Sequence, residues 1–290
     1  MDIKPTTNKR NPIKIVVIFF CTLWLTNLHA REIKVLAIGN SFSDDALEHY
    51  LYQLGADHGD TLTIGNLAIA GASLEMHHNN ALNDAPAYSY RKIVHGVRTV
   101  SAATTLKKGL MDEEWDYISL QQVSHNAGRY ETYFPYLTHL IQYVKANAGN
   151  PDATIILHMT WAYAQDCTHP GFAAYGNDQE KMFAAILETT SKIATELNIP
   201  IVVPAGTAIQ NARTSSLGDT LCVDGFHLER TYGRYTAACT WYEVLTGHCV
   251  VGNPFKPDQI SEYQAFIAQI SAHFAVINAR KVTHLSACKE

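Results

Sequence analysis

Short apolar runs alternate with longer amphipathic stretches along most of the chain. Five apolar runs predict β-strands, at residues 33–38, 62–67, 117–120, 154–158 and 201–203. Five amphipathic stretches predict helices, at about 44–58, 131–147, 178–197, 231–246 and 259–278. Strands that alternate with helices favour a parallel sheet with helices on both faces. The pattern therefore predicts an α/β fold.

The first thirty residues differ from the rest. Four basic residues precede an apolar stretch at residues 15–25, and the small residue Ala30 follows. This order is typical of a secretory signal. The apolar stretch is shorter than the ~20 residues that a membrane-spanning helix needs, which disfavours an uncleaved anchor. We expect a signal peptide at 1–30 and a single catalytic domain at 31–290, periplasmic or secreted, without stable membrane insertion after cleavage.

Composition narrows the classes of function. The chain has 290 residues, 47% of them hydrophobic, which is enough for one sizeable core. It carries 22 Lys and Arg against 27 Asp and Glu, a formal net charge of −5, and its basic residues are dispersed. Nucleic-acid binding needs a clustered basic surface. We therefore expect no nucleic-acid partner.

Removal of the signal would leave five cysteines. They are Cys167, Cys222, Cys239, Cys249 and Cys288. An odd number in an exported protein permits two disulfides at most. The sequence does not show which of them pair: a Cys167–Cys222 bond is one option, which would pin the loop that carries Asp224, and small buried thiols without bonds are the alternative.

A serine follows the first predicted strand in a tight turn. The sequence Gly-Asn-Ser-Phe-Ser stands at residues 39–43, and Asp-Gly-Phe-His stands at 224–227. A serine hydroxyl becomes a good nucleophile when a neutral histidine takes its proton and a carboxylate orients that histidine. Asp224 and His227 are close enough for one turn to bring both to Ser41. Asp-x-x-His alone is common, but together with this serine turn it indicates a serine esterase.

Candidate hydrogen-bond donors follow the second and third predicted strands. Gly71 lies after the second, where a glycine lets the backbone approach a substrate closely. Gln121, Gln122 and Asn126 follow the third with amide side chains. The oxyanion of a tetrahedral intermediate needs two or three such donors. Because ligands bind beyond the carboxyl ends of parallel strands, we predict that these residues meet Ser41 there.

The two motifs resemble those of a known family. Residues 39–43 resemble the first block of the SGNH, or GDSL-like, hydrolases, with asparagine where aspartate is usual. Residues 224–227 resemble the last block, Asp-x-x-His, and Gly71 matches the glycine block. The resemblance extends from about residue 33 to residue 245.

This resemblance implies a fold, a reaction and a set of roles. The fold would be a three-layer α/β/α sandwich similar to flavodoxin, with a five-stranded, mainly parallel sheet. Ser41 would be the nucleophile, His227 the base and Asp224 the carboxylate that orients it. The reaction would pass through an acyl-enzyme intermediate, with no metal and no other cofactor.

The third block of the family, Gly-x-Asn-Asp, is absent from this chain. The sequence Gln-Gln-Val-Ser-His at residues 121–125 occupies its expected place. We therefore expect a side-chain amide from Gln122, or else from Gln121 or Asn126, to replace the missing asparagine donor. The Asn-Ser start and the paired glutamines are similar to a variant bacterial branch of the family.

Aromatic residues suggest the class of substrate. Trp161 and Tyr163 lie just past the fourth predicted strand, on the side where the catalytic groups should meet. Flat rings beside polar groups suit sugar faces, although they are equally common in a core of this size. Relatives with secretion signals often remove acetyl groups from polysaccharides. The resemblance therefore implies a carbohydrate O-acetylesterase that acts on a small-molecule or polysaccharide ester.

Three alternatives remain open from the sequence. A lipase, lysophospholipase or thioesterase would use the same triad with an apolar tunnel for the acyl chain. A glycan-binding protein with a decayed site would explain the missing third block. A metal-dependent hydrolase would use His125, His169, Asp224 and His227, although these positions lack the spacing of known zinc motifs.

Overall fold

The structure is a computed structural model and describes residues 32–288. The expected signal peptide at residues 1–30 lies outside the described residues. The strands are β1 (Glu32–Gly39), β2 (Thr61–Ala68), β3 (Tyr88–Val94), β4 (Val97–Thr104), β5 (Tyr117–Leu120), β6 (Thr154–His158) and β7 (Ile201–Val203). The helices are α1 (Ser41–Leu47), α2 (Leu51–Ala56), α3 (Leu74–Leu82), α4 (Leu106–Leu110), α5 (Tyr136–Asn147), α6 (Gln179–Glu196), α7 (Ala205–Arg213), α8 (Tyr232–Thr246) and α9 (Glu262–Ile277). None of the helices in this part of the chain combines the length and apolar character needed to cross a membrane.

The strands form one seven-stranded sheet, in the order β4-β3-β2-β1-β5-β6-β7. Strands β2, β1, β5, β6 and β7 run parallel, and these are the five predicted strands. Strands β3 and β4 add an antiparallel hairpin beside β2. The α/β class is thus confirmed, whereas the predicted count of five strands is wrong.

The additional hairpin leaves little hydrophobic pattern because its outer strand lies on the surface. All residues of β4 except the last are exposed, so no alternation of apolar and polar positions marks this strand. The hairpin turns at His95 and Gly96, which both have positive φ. A two-residue turn of this kind matches the twist of paired strands. The glycine of this turn is the main local signal for the hairpin.

Side chains of the central strand alternate between two apolar cores. Val35 and Ala37 of β1 pack with α1, α2, α7, α8 and α9 on one face of the sheet. Leu36 and Ile38 pack with α3, α4 and α5 on the other face. Helices therefore cover both faces, and the loops at the carboxyl ends of the parallel strands are left to form a site.

Two predicted helices are interrupted. The stretch predicted at 44–58 forms α1 and α2, which are separated at Tyr50, whose φ of −130° is not helical. The stretch predicted at 131–147 forms a short 3-10 helix and then α5. Pro135 separates them, because proline has no N–H to donate and disfavours helical geometry at Phe134. The other three predicted helices correspond to α6, α8 and α9.

Three helices have no counterpart in the prediction. Helix α7 has nine residues, all of them buried, including the polar Thr207, Gln210, Asn211 and Arg213. Helices α3 and α4 have nine and five residues, which is short for recognition by periodicity. All three helices are short, and a short helix gives few repeats of the amphipathic pattern from which a helix is predicted.

The cysteines of the described chain are free thiols: Cys167, Cys222, Cys239, Cys249 and Cys288. The expected alternative of buried, unbonded thiols therefore holds for Cys167 and Cys239, whereas the other three are unbonded but not buried. Cys167 is buried and packs against the loop that carries His227. The loop is therefore held by packing and hydrogen bonds.

Candidate active site

Ser41 lies where β1 ends and α1 begins. Asn40 caps this helix, since its Oδ1 accepts a hydrogen bond from the backbone N–H of Phe42 at 3.0 Å. Asn40 Nδ2 donates to the carbonyl oxygen of Ala72 at 2.9 Å, and Gln121 Nε2 donates to Asn40 Oδ1 at 2.8 Å. One buried amide therefore ties the serine turn to the loops after β2 and β5. An aspartate at this position could accept the bonds from Phe42 and Gln121, but it could not donate to the carbonyl oxygen of Ala72.

His227 is carried by a turn of defined geometry. The Asp224 carboxylate accepts hydrogen bonds through Oδ1 from the backbone N–H groups of Phe226 and His227, at 3.1 and 2.8 Å. Gly225 has a φ of +90°, and a Cβ at this position would lie 2.9 Å from Cys167. Glycine fits here because it has no side chain and adopts positive φ without strain. The Asp-x-x-His spacing thus forms a closed turn.

The three predicted side chains form one hydrogen-bonded chain. His227 Nε2 lies 2.8 Å from Ser41 Oγ, and His227 Nδ1 lies 2.6 Å from Asp224 Oδ2. Burial raises the pKa of the Asp224 carboxyl, but the hydrogen bonds from the His227 imidazole and the two backbone N–H groups outweigh it, so this pKa lies below its ordinary value. An ionised Asp224 favours the tautomer with the proton on Nδ1. Nε2 can then accept the proton of the serine hydroxyl.

A buried ion pair fixes the His227 turn against α1. Asp45, on α1, has 3% of its side chain exposed and pairs with Arg234 of α8 at 2.8 Å. Asp45 also accepts a hydrogen bond from the backbone N–H of Leu228 at 2.8 Å. The helix that begins with Ser41 therefore also holds the residue that follows His227.

Ser41 and His227 border a cavity of about 300 Å³. Its other walls are Asn40, Phe42, Ala70, Gly71, Val123, Ser124, His125, His169 and Phe226. Gly71 has a φ of +65°, and its backbone N–H, like that of Ser41 at the start of α1, has no acceptor within residues 32–288. Unpaired N–H groups on a wall beside a nucleophile can bind an oxyanion.

The amide side chains predicted to face this cavity do not line it. Gln122 Oε1 accepts from the backbone N–H of Leu74 and Val123, and its Nε2 donates to Thr132. Gln121 connects Asn40 to the buried His158. Asn126 Oδ1 accepts from Arg129 at 3.3 Å. We therefore correct the prediction: the glutamines hold loops together, because their polar atoms are already bonded within the fold.

The two aromatic residues predicted near the substrate are buried. Trp161 stacks on Phe42 with ring centroids 4.4 Å apart, and its Nε1 donates to the carbonyl oxygen of Phe226. The Tyr163 hydroxyl lies 2.8 Å from Ser124 Oγ. Both rings support the cavity from behind, so they do not present a face to a sugar. Their aromatic character, which suggested a binding role, instead reflects their packing in the core.

A second, charged cavity of about 390 Å³ borders the same Ser41 and His227. Its charged walls are Arg91, Arg98, Arg230, Arg234, Asp44, Asp45, Glu48 and Asp224. Glu48 has 3% of its side chain exposed and accepts hydrogen bonds from Arg91 and Arg98. Burial and the neighbouring Glu48 carboxylate raise the pKa of Asp44. This side of Ser41 is therefore strongly polar, and the unpredicted hairpin β3–β4 supplies two of its cations.

His125 and His169 were predicted only as alternative metal ligands, and Phe226 had no predicted role, yet all three line the first cavity. His125 and His169 lie with their rings stacked at 5.6 Å, and Phe226 packs 4.2 Å from the His227 ring. Their positions in the sequence were the available signal, because His125 and His169 lie in loops after predicted strands and Phe226 directly precedes His227. The metal-dependent alternative would need His125 and His169 to join Asp224 and His227. No three of these four lie within ligand distance of one another in the described chain.

The fold resembles that of the SGNH hydrolases. A candidate SGNH hydrolase from Slackia heliotrinireducens matches with a TM-score of 0.50 and 22% identity, over 74% of this chain and 99% of that chain. An acetylxylan esterase from Geobacillus stearothermophilus is a weaker match, with a TM-score of 0.49 and 14% identity, over 74% and 94% of the two chains. The first match defines the class of fold.

A nearer similarity identifies the family. The crystal structure of a DUF4886 family protein from Bacteroides uniformis ATCC 8492 matches with a TM-score of 0.87 and 47% identity, over 89% of this chain and 100% of that chain. The family described as "Domain of unknown function (DUF4886)" matches residues 34–275. The chain therefore belongs to the DUF4886 family. A search of curated proteins gave no match.

Proposed function

We propose that this protein is a serine esterase that removes acetyl or other short acyl groups from carbohydrate esters. The observation that carries the proposal is the chain of hydrogen bonds from Asp224 through His227 to Ser41, with distances of 2.6 and 2.8 Å. The SGNH-type fold supports a hydrolase, because Ser41 lies at the edge of the sheet where ligands bind in such folds.

The proposed reaction uses the three side chains in two steps. Ser41 Oγ attacks the acyl carbon while its proton passes to His227 Nε2, and the backbone N–H groups of Ser41 and Gly71 bind the oxyanion. The intermediate then expels the alcohol, which takes the proton from His227, and an acyl-enzyme remains. In the second step water attacks the acyl carbon while His227 takes its proton. The free acid leaves and Ser41 recovers its hydrogen.

The shape and polarity of the site favour a short acyl group and a polar alcohol. The cavity of about 300 Å³ is at the small end of the usual range for ligand sites. Its wall includes the polar side chains of Ser124, His125 and His169. The rest of the wall is mostly apolar and includes Phe42, Ala70, Val123 and Phe226, which suits the methyl group of a short acyl chain. The charged cavity suits a hydroxyl-rich leaving group.

The direct test is release of acetate from acetylated xylan oligosaccharides. We expect release by the wild type and by Ser101→Ala, which changes an exposed serine on β4. We expect no release above background by Ser41→Ala or by His227→Gln. p-Nitrophenyl acetate and p-nitrophenyl palmitate, assayed in parallel, measure the preference for short acyl groups.

Three outcomes would contradict parts of this proposal. Glycan binding without turnover of any ester would indicate a decayed site. Preference for palmitate would indicate a lipase or thioesterase. The triad would then stand, but the proposed substrate class would be wrong. Full activity in Ser41→Ala would place the nucleophile elsewhere and remove the basis of the proposal.

A further inference from the structure

Two histidines and an aspartate lie close together at the end of the sheet where the parallel strands begin, opposite the end that carries Ser41. His58 and Asp60 lie in the turn between α2 and β2, and His248 follows the end of α8. One nitrogen of each imidazole and one carboxylate oxygen all lie within 4.8 Å of one another. Asp60 directly precedes β2, whose other end, at Ala68, leads to the proposed active site. This cluster is therefore separate from the esterase chemistry.

The distances within this cluster are close to those of a tetrahedral metal site. His248 Nδ1 lies 3.1 Å from Asp60 Oδ2, and His58 Nδ1 lies 4.0 Å from the same oxygen. Metal–ligand bonds of about 2.0–2.2 Å at tetrahedral angles place neighbouring ligand atoms roughly 3.3–3.6 Å apart. The two measured distances bracket this value, so small rotations of the rings would bring all three atoms onto one ion.

The side chains offer these atoms in an arrangement that a cation would favour. The Asp60 side chain is 6% exposed, whereas those of His58 and His248 are 40% and 46% exposed. The two imidazole rings lie with their centroids 4.7 Å apart beside a single carboxylate. If both rings were protonated they would repel each other. One divalent cation would neutralise the carboxylate and use the lone pairs of both rings, with an open side for water.

The backbone holds both ligand-bearing turns in place before any ion binds. The N–H of His58 and the N–H of Asp60 both donate to the carbonyl of Gly55, and the N–H of His248 donates to Thr246 Oγ1. The ring of Tyr242 packs edge-on against His58 with centroids 6.1 Å apart. A site whose backbone is already ordered loses little entropy when the ion binds.

A neighbouring set is a poorer candidate. Glu243, Cys249 and His273 also lie within ligand distance of one another. Here one carboxylate oxygen is already bonded from outside the set, since Glu243 Oε2 accepts the N–H of Val250 at 2.9 Å. In the first set, the ligand atoms of the described chain contact only one another.

We propose that His58, Asp60 and His248 bind one Zn²⁺ ion, or another divalent transition-metal ion, in a structural role. Two imidazoles with one carboxylate favour such ions over Mg²⁺ or Ca²⁺, which prefer oxygen ligands. The ion joins the α2–β2 turn to the segment after α8. The sequence predicted no metal and no cofactor, because the wide separation of His58 from His248 hid this set from motif spacing.

The test is calorimetric titration of chelator-treated, desalted protein with ZnCl₂, with MgCl₂ as the control ion. We expect one saturable Zn²⁺ site and no heat from Mg²⁺. His58→Ala and His248→Ala each remove an exposed ligand, so both should fold and weaken binding by about 10-fold or more. The matched controls are His273→Ala, from the neighbouring set, and His284→Ala, at an exposed position. Both should bind as the wild type does.

Thermal unfolding gives a second readout. Zn²⁺ should raise the Tm of the wild type and of His273→Ala by the same amount, and at the same Zn²⁺ concentration it should raise the Tm of His58→Ala and His248→Ala by less. Ester hydrolysis should not depend on the ion. A protein that binds Zn²⁺ but hydrolyses no ester would therefore contradict the esterase proposal and leave the metal site in place. Absence of saturable binding overturns the metal site, and so does a loss of binding in His273→Ala with His248→Ala unaffected.

Discussion

Asn40→Asp tests whether the amide of Asn40 positions the active site. The substitution moves the chain toward the aspartate that is usual in the SGNH first block, so resemblance alone predicts no harm. The structure predicts damage, because Asn40 Nδ2 donates to the Ala72 carbonyl at 2.9 Å and a carboxylate cannot donate. Asn40 is 1% exposed, so no bulk water replaces the lost donor.

The magnitude follows from the bonds that remain. The acceptor bonds from Phe42 N–H and Gln121 Nε2 survive, but Ala72 is left with an unsatisfied buried carbonyl, which costs about 1–3 kcal/mol. Repulsion between the carboxylate and this carbonyl oxygen adds to that cost. Movement of the neighbouring Gly71 N–H removes an oxyanion donor, for which we expect a loss of about 100-fold in kcat.

Urea unfolding and kcat/KM for p-nitrophenyl acetate measure the two effects of Asn40→Asp. The matched control is Asn126→Asp, the same chemical change in a nearby loop, where Oδ1 only accepts a weak bond from Arg129. We expect the control to stay within about 0.5 kcal/mol of the wild type. If Asn40→Asp unfolds at the wild-type urea concentration and hydrolyses the ester at the wild-type rate, the Asn40 amide does not position the site.

Three further predictions follow from the bonds around Ser41. The pKa of Asp224 is lowered on folding, so its stabilising effect is present above its ordinary pKa of 3.8 and is lost as the pH falls through the folded-state value. Asp224→Asn should therefore lower the Tm near neutral pH but not in strong acid, and equal losses at both would contradict this. Gln122→Ala should lower the unfolding free energy by about 1–3 kcal/mol, with a much smaller fall in kcat than the 100-fold expected for an oxyanion donor. Asp45→Ala leaves Arg234 unpaired and should cost about 3 kcal/mol by urea unfolding, since Arg234 is partly exposed; a wild-type midpoint would contradict the role of this ion pair.

The parallel part of the fold was predictable because its signals are local. Each of the five parallel strands is a short apolar run, and the serine turn follows the first of them directly. The Asp224–His227 spacing predicts a turn that the Asp224 Oδ1 hydrogen bonds form. In these places the residue types alone limit the backbone to few conformations.

The amide donors were not predictable because side-chain direction depends on distant partners. Gln121 and Gln122 follow a strand at the correct edge, yet one bonds Asn40 and the other bonds Leu74 and Thr132. Trp161 stands past a strand end but stacks under Phe42. The sequence places such residues near the site, and long-range hydrogen bonding and packing decide which of them face it.

Covalent capture of the nucleophile tests whether His227 activates Ser41. The protein would be incubated with an alkyl fluorophosphonate, which reacts with activated serines, then digested and sequenced by mass spectrometry. We expect one equivalent of label on Ser41 in the wild type, with Ser43 unlabelled, and none in His227→Gln. Label on a different residue, or undiminished ester hydrolysis after Ser41 is fully labelled, would contradict this role of Ser41.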